Sequence, residues 1–310
     1  MEVKIPNQQL ELKKKSIWQI WYRQLRPHTL TAAFVPVSIG TALALLDGFI
    51  NMPLFLAMLL ASILIQAATN LFNEYYDYKR GLDHAESIGI GGGIVRDGIA
   101  PKTIRNVAIG FFAIAILLGF YICASSSWWI AAIGIICMFT AYFYTGGPYP
   151  IAYSPFGEIV AGFFMGVVII LISYFIQSGS ISLKSFLISI PISILIGAIL
   201  LSNNIRDLDG DKKSGRRTLA ILIGRENAVK FLAGMFVVSF IWIIALVATS
   251  IVSPWLLIVF ASLPKAFQAV RGFKGKTLPI QMMPAMKATA QTNTHFGFLV
   301  AFGLLLSYWM

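Results

Sequence analysis

NVAIGFFAIAILLGFYICASSSWWIAAIGIICMFTAYFYTGGPYPIAYSPFG, residues 106–157, contains no Asp, Glu, Lys or Arg. A helix crosses the hydrocarbon core of a bilayer with about 20 apolar residues. The stretch is therefore long enough for two spans, and Ser125-Ser126-Ser127 divides it. It has no period-two alternation, and an open sheet would leave backbone groups unsatisfied in lipid, so helix is the expected state. Uncharged runs of similar kind occupy residues 28–46, 48–73, 159–183, 185–205, 231–264 and 288–310, with a break in the 231–264 run at Ser253-Pro254. The whole chain agrees. Of its 310 residues 57% are hydrophobic and 12% charged, and mean hydropathy is +0.77. A soluble domain carries about 25% charged residues, so much of this surface must face lipid. The expectation is one all-α, polytopic domain over residues 1–310, with nine transmembrane helices around a central cavity open to the cytoplasm.

Charge tests that count. With the N-terminus in the cytoplasm, the inside segments are 1–27, 78–105, about 147–154, 206–230 and 265–287. They hold all but one of the 24 Lys and Arg residues, the exception being Lys184. That asymmetry is the positive-inside signature, and it places the C-terminus outside. The expected location is the plasma membrane, crossed many times. The net charge of +11 then reflects topology and attraction to anionic lipid heads, and needs no nucleic-acid partner. Residues 1–25 are polar and basic with no signal-peptide core, so the first apolar run should be retained. Cys123 and Cys137 sit inside apolar runs and read as buried small hydrophobes.

The 13 acids carry the functional information. Glu74, Asp77 and Asp83 stand in NEYYDYKRGLD at the end of the second span. Asp207, Asp209 and Asp211 stand in NNIRDLDGDKK at the end of the sixth. Both ends face the cytoplasm in this topology, and residues 78–102 and 206–228 are expected to be active-site loops. Asn73 and Asp77 are four residues apart, as are Asp207 and Asp211, so each pair shares one helix face. Like charges there repel, and carboxylates near a membrane are costly. Solvated loop acids paired with neighbouring bases would explain either segment alone. Two such ends on one side suit Mg²⁺ bridging a phosphate ligand better, because Mg²⁺ takes a few carboxylate oxygens and leaves positions for phosphate. Bound Mg²⁺ and a diphosphate would still leave negative charge, and Lys79, Arg80, Lys212, Lys213, Arg216 and Arg217 stand nearby to balance it. Such a site stabilises a departing pyrophosphate, and aromatic faces stabilise the allylic cation left behind.

At these residues the chain resembles the UbiA-type intramembrane prenyltransferases. Within that family it looks most like the branch that prenylates 1,4-dihydroxy-2-naphthoate in menaquinone synthesis. The supporting stretches are RPHTL (26–30), NLFNEYYDYKRGLD (70–83), GIGGGIVRDG (89–98), YTGGPYPIAY (144–153) and NNIRDLDGDKKSGRRTLAILIG (203–224). The separation of Asp77 and Asp83 is two residues longer than in ubiquinone-type enzymes and points to the naphthoate branch. The resemblance implies that Asp77, Asp83, Asp207 and Asp211 are catalytic and, with Asn73, hold Mg²⁺. It further implies that Lys79, Arg96, Lys212, Arg216 and Tyr144 bind substrate. A polyprenyl diphosphate would alkylate the naphthoate at its carboxyl-bearing carbon, releasing CO₂ and pyrophosphate and giving a demethylmenaquinone. Two alternatives stand beside this: another aromatic acceptor such as 4-hydroxybenzoate, and an ion-coupled transporter.

Other features divide between function and plain structure. Tyr75, Tyr76, Tyr78, Tyr142, Tyr144, Tyr149 and Tyr153 could face the cation or acceptor, or form an interfacial aromatic belt. Gly89, Gly91, Gly92 and Gly93 follow no strand, which argues against a dinucleotide loop and for a lid. His28, His84 and His295 have no metal-ligand spacing, although His84 beside Asp83 could orient a site group. Arg96-Asp97 could anchor phosphate or pair at the membrane surface. Glu158 opens the fifth span far from any base, and is either functional or a first-turn acid favoured by the helix dipole. Pro191 should kink the sixth span.

Overall fold

The computed structural model describes residues 16–82 and 92–309. Asp83, His84, Gly89 and Gly91 lie outside the described residues. The described chain is helical, with no strand: α1 (Ile17–Gln24), α2 (Pro27–Leu46), α3 (Met52–Lys79), α4 (Pro101–Ser125), α5 (Trp129–Thr145), α6 (Gly157–Gly162), α7 (Ile169–Ser178), α8 (Leu183–Lys213), α9 (Leu219–Ile223), α10 (Arg225–Ala248), α11 (Leu263–Phe273) and α12 (Pro279–Trp309). A π-helical segment, Phe163–Val168, joins α6 to α7 into one rod, and a 3₁₀ segment, Pro254–Ser262, leads into α11.

Local chemistry sets the ends. Asn51 caps α3 by accepting from the Leu54 N–H, and Ser182 and Ser185 form a capping box on α8. Gly179 closes α7 at φ 74°, a left-handed conformation that a side chain would strain. The expected breaks at Ser125–Ser127 and Ser253-Pro254 both occur. Helix α8 stays helical through Pro191. Proline has no N–H for the Leu187 carbonyl four residues back, and the Trp242 indole N–H supplies that hydrogen bond at 2.9 Å.

Among the described residues seven helical stretches are long and apolar enough to cross a membrane: residues 29–46, 52–79, 101–125, 157–178, 183–213, 225–248 and 254–273. The expectation was nine. Helix α5, at 17 residues, is short for a full span. Helix α12 is long, but Thr289, Gln291, Thr292, Asn293, Thr294 and His295 dilute its apolar character. Thr289, Thr292 and Asn293 are buried, so much of this polar strip faces the interior of the bundle.

The packing fits a lipid solvent. Leu117 and Phe120 on α4 and Val237 and Ile241 on α10 are exposed, which in water would be an adhesive surface. The main core joins α2, α7, α8, α10, α11 and α12, while α4 packs chiefly on α3. Where the α6–α7 rod crosses α8, backbones nearly touch. A Cβ on Gly166 would lie 2.4 Å from Ser193 Cα, the small-residue contact by which membrane helices gain dispersion energy. Cys123 is buried, but Cys137 is only partly so and does not match the expected burial.

Candidate active site

Both acid-rich segments are helix. Helix α3 continues through Asn73 and Asp77 to Lys79, and α8 through Asp207 and Asp211 to Lys213. This corrects the expectation of a loop over 206–228: its first eight residues are the last two turns of α8, and 219–223 forms α9. A helix fixes the bearing of each carboxylate, which a loop would not.

One side chain joins the two ends. Arg216 Nη2 lies 3.0 Å from Asp77 Oδ1, and its Nη1 lies 3.0 Å from Asp211 Oδ1. Asp77 and Arg216 are 139 residues apart in sequence. The guanidinium also stacks on the Tyr153 ring, 4.4 Å from its centroid. Burial alone would lower the Arg216 pKa, but the carboxylates of Asp211 and Asp77 outweigh it and leave the value raised. The Arg216 N–H bonds the Asp211 carbonyl at 3.0 Å, and the Arg217 N–H bonds the Tyr153 carbonyl at 2.9 Å, so backbone as well as charge places the cation.

Asp207 has a cation of its own. Arg206 grips it with two hydrogen bonds, 2.6 Å to Oδ1 and 2.5 Å to Oδ2, and its side chain remains 35% exposed. Among the described residues no three acidic, histidine or cysteine side chains form a metal cluster. The donor set nevertheless fits Mg²⁺. Each helix end offers hard oxygen ligands in ones and twos, and Mg²⁺ characteristically uses one or two carboxylates and completes its octahedron with phosphate and water.

The α3 end is braced by a frame in which Arg26 and Glu74, given no site role above, join Asn73 and Arg80. The Asn73 amide donates to Asp77 Oδ2 at 2.7 Å and accepts from Arg26 Nη1 at 3.0 Å. Arg26 sits at φ 50°, uncommon for a residue with a side chain. Glu74, 1% exposed, accepts the Gly92 N–H at 2.9 Å and the Ile94 N–H at 3.3 Å. It is thus a backbone anchor for the described part of the glycine-rich stretch. Arg80 donates to the carbonyls of Thr145 (2.5 Å) and Gly147 (2.7 Å) and lies over the Tyr76 and Tyr153 rings. It ties α3 to the segment after α5.

The remaining expected site residues are distributed unevenly. Lys79 and Lys212 are exposed at the two helix ends. Arg96 lies in the 92–97 turn against Gly92, and Asp97 pairs with Arg23 of α1. Of the tyrosines, Tyr153 belongs to the site, Tyr76 bonds Tyr142 at 2.5 Å, and Tyr149 is 91% exposed. The Tyr144 hydroxyl is buried, as is Glu158, whose Oε1 accepts from Asn204 Nδ2 at 2.8 Å.

Two acid-bearing helix ends on one arginine, in an apolar bundle, can hold a metal-bound diphosphate against a membrane, and relatives bear on that reading. Residues 33–278 match the UbiA prenyltransferase family. A 1,4-dihydroxy-2-naphthoate octaprenyltransferase of Bacillus subtilis is 60% identical over 296 residues, covering 96% of this chain and 95% of that protein. Its namesake in Escherichia coli is 27% identical, covering 94% and 96%. Among solved structures, a UbiA homolog from Archaeoglobus fulgidus bound to GPP and Mg²⁺ superposes with a TM-score of 0.64 at 19% identity, covering 91% of this chain and 99% of that one. With its apolar rods and both acid motifs accounted for, this chain belongs to the UbiA prenyltransferase family.

Proposed function

We propose that the protein transfers a polyprenyl chain from a polyprenyl diphosphate to 1,4-dihydroxy-2-naphthoate, releasing pyrophosphate and CO₂ and forming a demethylmenaquinol, the reduced form of a demethylmenaquinone. The observation that carries this reading is the Arg216 bridge between Asp77 and Asp211. The similarity to the Bacillus subtilis enzyme supports the acceptor. Membership of an enzyme family sets aside the transporter alternative.

In this reading the chain crosses the plasma membrane nine times as a single domain over residues 1–310, with α5 and α12 completing the count. The N-terminus and both acid ends are cytoplasmic, and the C-terminus is outside. Asn73, Asp77, Asp207 and Asp211, with Asp83 beside them, would hold Mg²⁺, which supplies Lewis-acid neutralisation of the leaving group. Arg216, Lys212, Lys79 and Arg96 contact the diphosphate. A guanidinium fixed between two carboxylates is preorganised to receive charge on the departing oxygen, at little reorganisation cost. The electron-rich ring then attacks the freed carbon, and the apolar bundle keeps water from competing.

The test is turnover by purified protein in lipid nanodiscs with Mg²⁺ and labelled prenyl diphosphate, comparing naphthoate with 4-hydroxybenzoate. Labelled demethylmenaquinol, recovered as the quinone after oxidation in air, should form with the naphthoate and little product with the benzoate. Equal use of both, or no pyrophosphate release with either, would overturn the assignment.

A further inference from the structure

Below the acid ends lies a second polar group that the diphosphate site does not use. Glu158 is 4% exposed, in the first turn of a rod that is otherwise apolar. Among the described residues no Lys, Arg or His forms an ion pair with it. Asn204 satisfies Oε1, whereas Oε2 has no hydrogen-bond partner there. The Tyr144 hydroxyl is likewise buried without a partner, and lies within electrostatic reach of both Glu158 and Arg216. A Cβ on Gly157 would lie 3.3 Å from Tyr144 Oη, so glycine at that position leaves the space beside the hydroxyl free. Buried polar atoms are almost always paired, and leaving one unmatched is costly.

The position is equally specific. Asn204, Asp207 and Asp211 are spaced three and four residues apart on α8, so they line one face of it. Through Asn204, Glu158 is held one turn deeper than Asp207 and two turns deeper than Asp211. Three kinds of substrate group could meet it. A prenyl tail is apolar and would leave Oε2 desolvated, and a diphosphate is anionic and would be repelled. A ring hydroxyl of the acceptor is uncharged and donates a hydrogen bond.

We infer that Glu158 and Tyr144 form the polar floor of the aromatic-acceptor site, with Glu158 Oε2 accepting the proton of the ring hydroxyl next to the attacked carbon. The inference rests on the prenyl-transfer reading above. As the bond from ring carbon to prenyl carbon forms, the prenyl C–O bond breaks and pyrophosphate leaves with that electron pair. The hydroxyl proton passes to Glu158, and the O–H pair becomes the carbonyl of a β-keto acid. Loss of CO₂ then leaves an enolate oxygen, which takes the proton back.

The experiment is steady-state kinetics of Glu158→Gln, Glu158→Asp and Tyr144→Phe, varying each substrate separately. Glu158→Gln should lower kcat/KM for the naphthoate by about 100-fold, a usual loss for a general base, and leave the KM for the prenyl diphosphate within about twofold. Glu158→Asp should recover part of the rate, and Tyr144→Phe should mainly raise the naphthoate KM. Glu158→Gln with naphthoate kinetics unchanged would overturn the inference. So would equal loss toward both substrates with no recovery in Glu158→Asp. Failure of the unsubstituted protein to use any aromatic acceptor would instead sink the prenyl-transfer reading itself.

Discussion

The two acid-bearing helix ends are built differently. At the end of α3 Arg216 reaches Asp77, but most of the holding is a local frame: Asn73 orients Asp77, Arg26 orients Asn73, Glu74 receives backbone N–H groups, and Arg80 ties down two carbonyls. At the end of α8 cations do it directly: Arg206 on Asp207, Arg216 on Asp211 and Arg225 on Asp209. The first end is a frame, and the second is a set of charges held by other charges. A frame keeps its shape when charge changes, whereas ion pairs exchange readily for another ligand of the same sign. The α8 end is therefore suited to remodelling as a metal-bound diphosphate arrives, and the α3 end to holding still.

Several substitutions would break or sharpen that contrast. The largest effect is expected from chelation: EDTA should abolish prenyl transfer without lowering the melting temperature, because the arginines neutralise the acids when metal is withdrawn. A fall in melting temperature that parallels activity would show that metal is structural at one end. Next, Asp77→Asn, Asp207→Asn and Asp211→Asn should each cut kcat/KM by about 100-fold or more, the scale of losing one transition-state charge contact. Turnover within a few-fold of the unsubstituted protein would remove that residue from the site. Arg216→Lys should cost roughly tenfold, since an ammonium cannot fork to two carboxylates. Glu74→Gln should act on stability, by about 1–3 kcal/mol, because the amide keeps one acceptor oxygen and turns an NH₂ toward the other N–H of the Gly92 and Ile94 pair, seen as faster proteolysis after residue 92. An intact 92–97 segment would deny Glu74 its anchoring role. The smallest effect belongs to Asp209→Asn. Its side chain is 63% exposed, so losing the pair with Arg225 should cost less than about 1 kcal/mol and leave turnover unchanged.

Much of this was legible in the sequence because it depends on solvent and on local spacing. The uncharged 106–157 stretch implied lipid and helix, and the Ser125–Ser127 break fell where polar residues interrupt it. Asp77 and Asp211 stood out because carboxylates near a bilayer need a reason. What escaped was long-range or dual in character. The roles of Arg26 and Glu74 depend on partners in other segments, and no local pattern reports them. Arg80 reads as charge balance for a diphosphate by its neighbours, yet both of its terminal nitrogens donate to the carbonyls of Thr145 and Gly147. The α3 and α8 helices run past their apolar segments because packing at the site, not hydropathy, sets their ends. Helix α12 carries a polar strip that hydropathy penalises and the bundle buries.

The central claim is that Asp77 and Asp211, from two distant helices, serve one bound diphosphate. A double-mutant cycle on pyrophosphate release, using Asp77→Asn, Asp211→Asn and the combined variant, tests it most directly. Residues acting as one unit are strongly non-additive, so the combined variant should be about as slow as the slower single one. A combined loss equal to the product of the two single losses would mean that the carboxylates act independently, and would contradict the account.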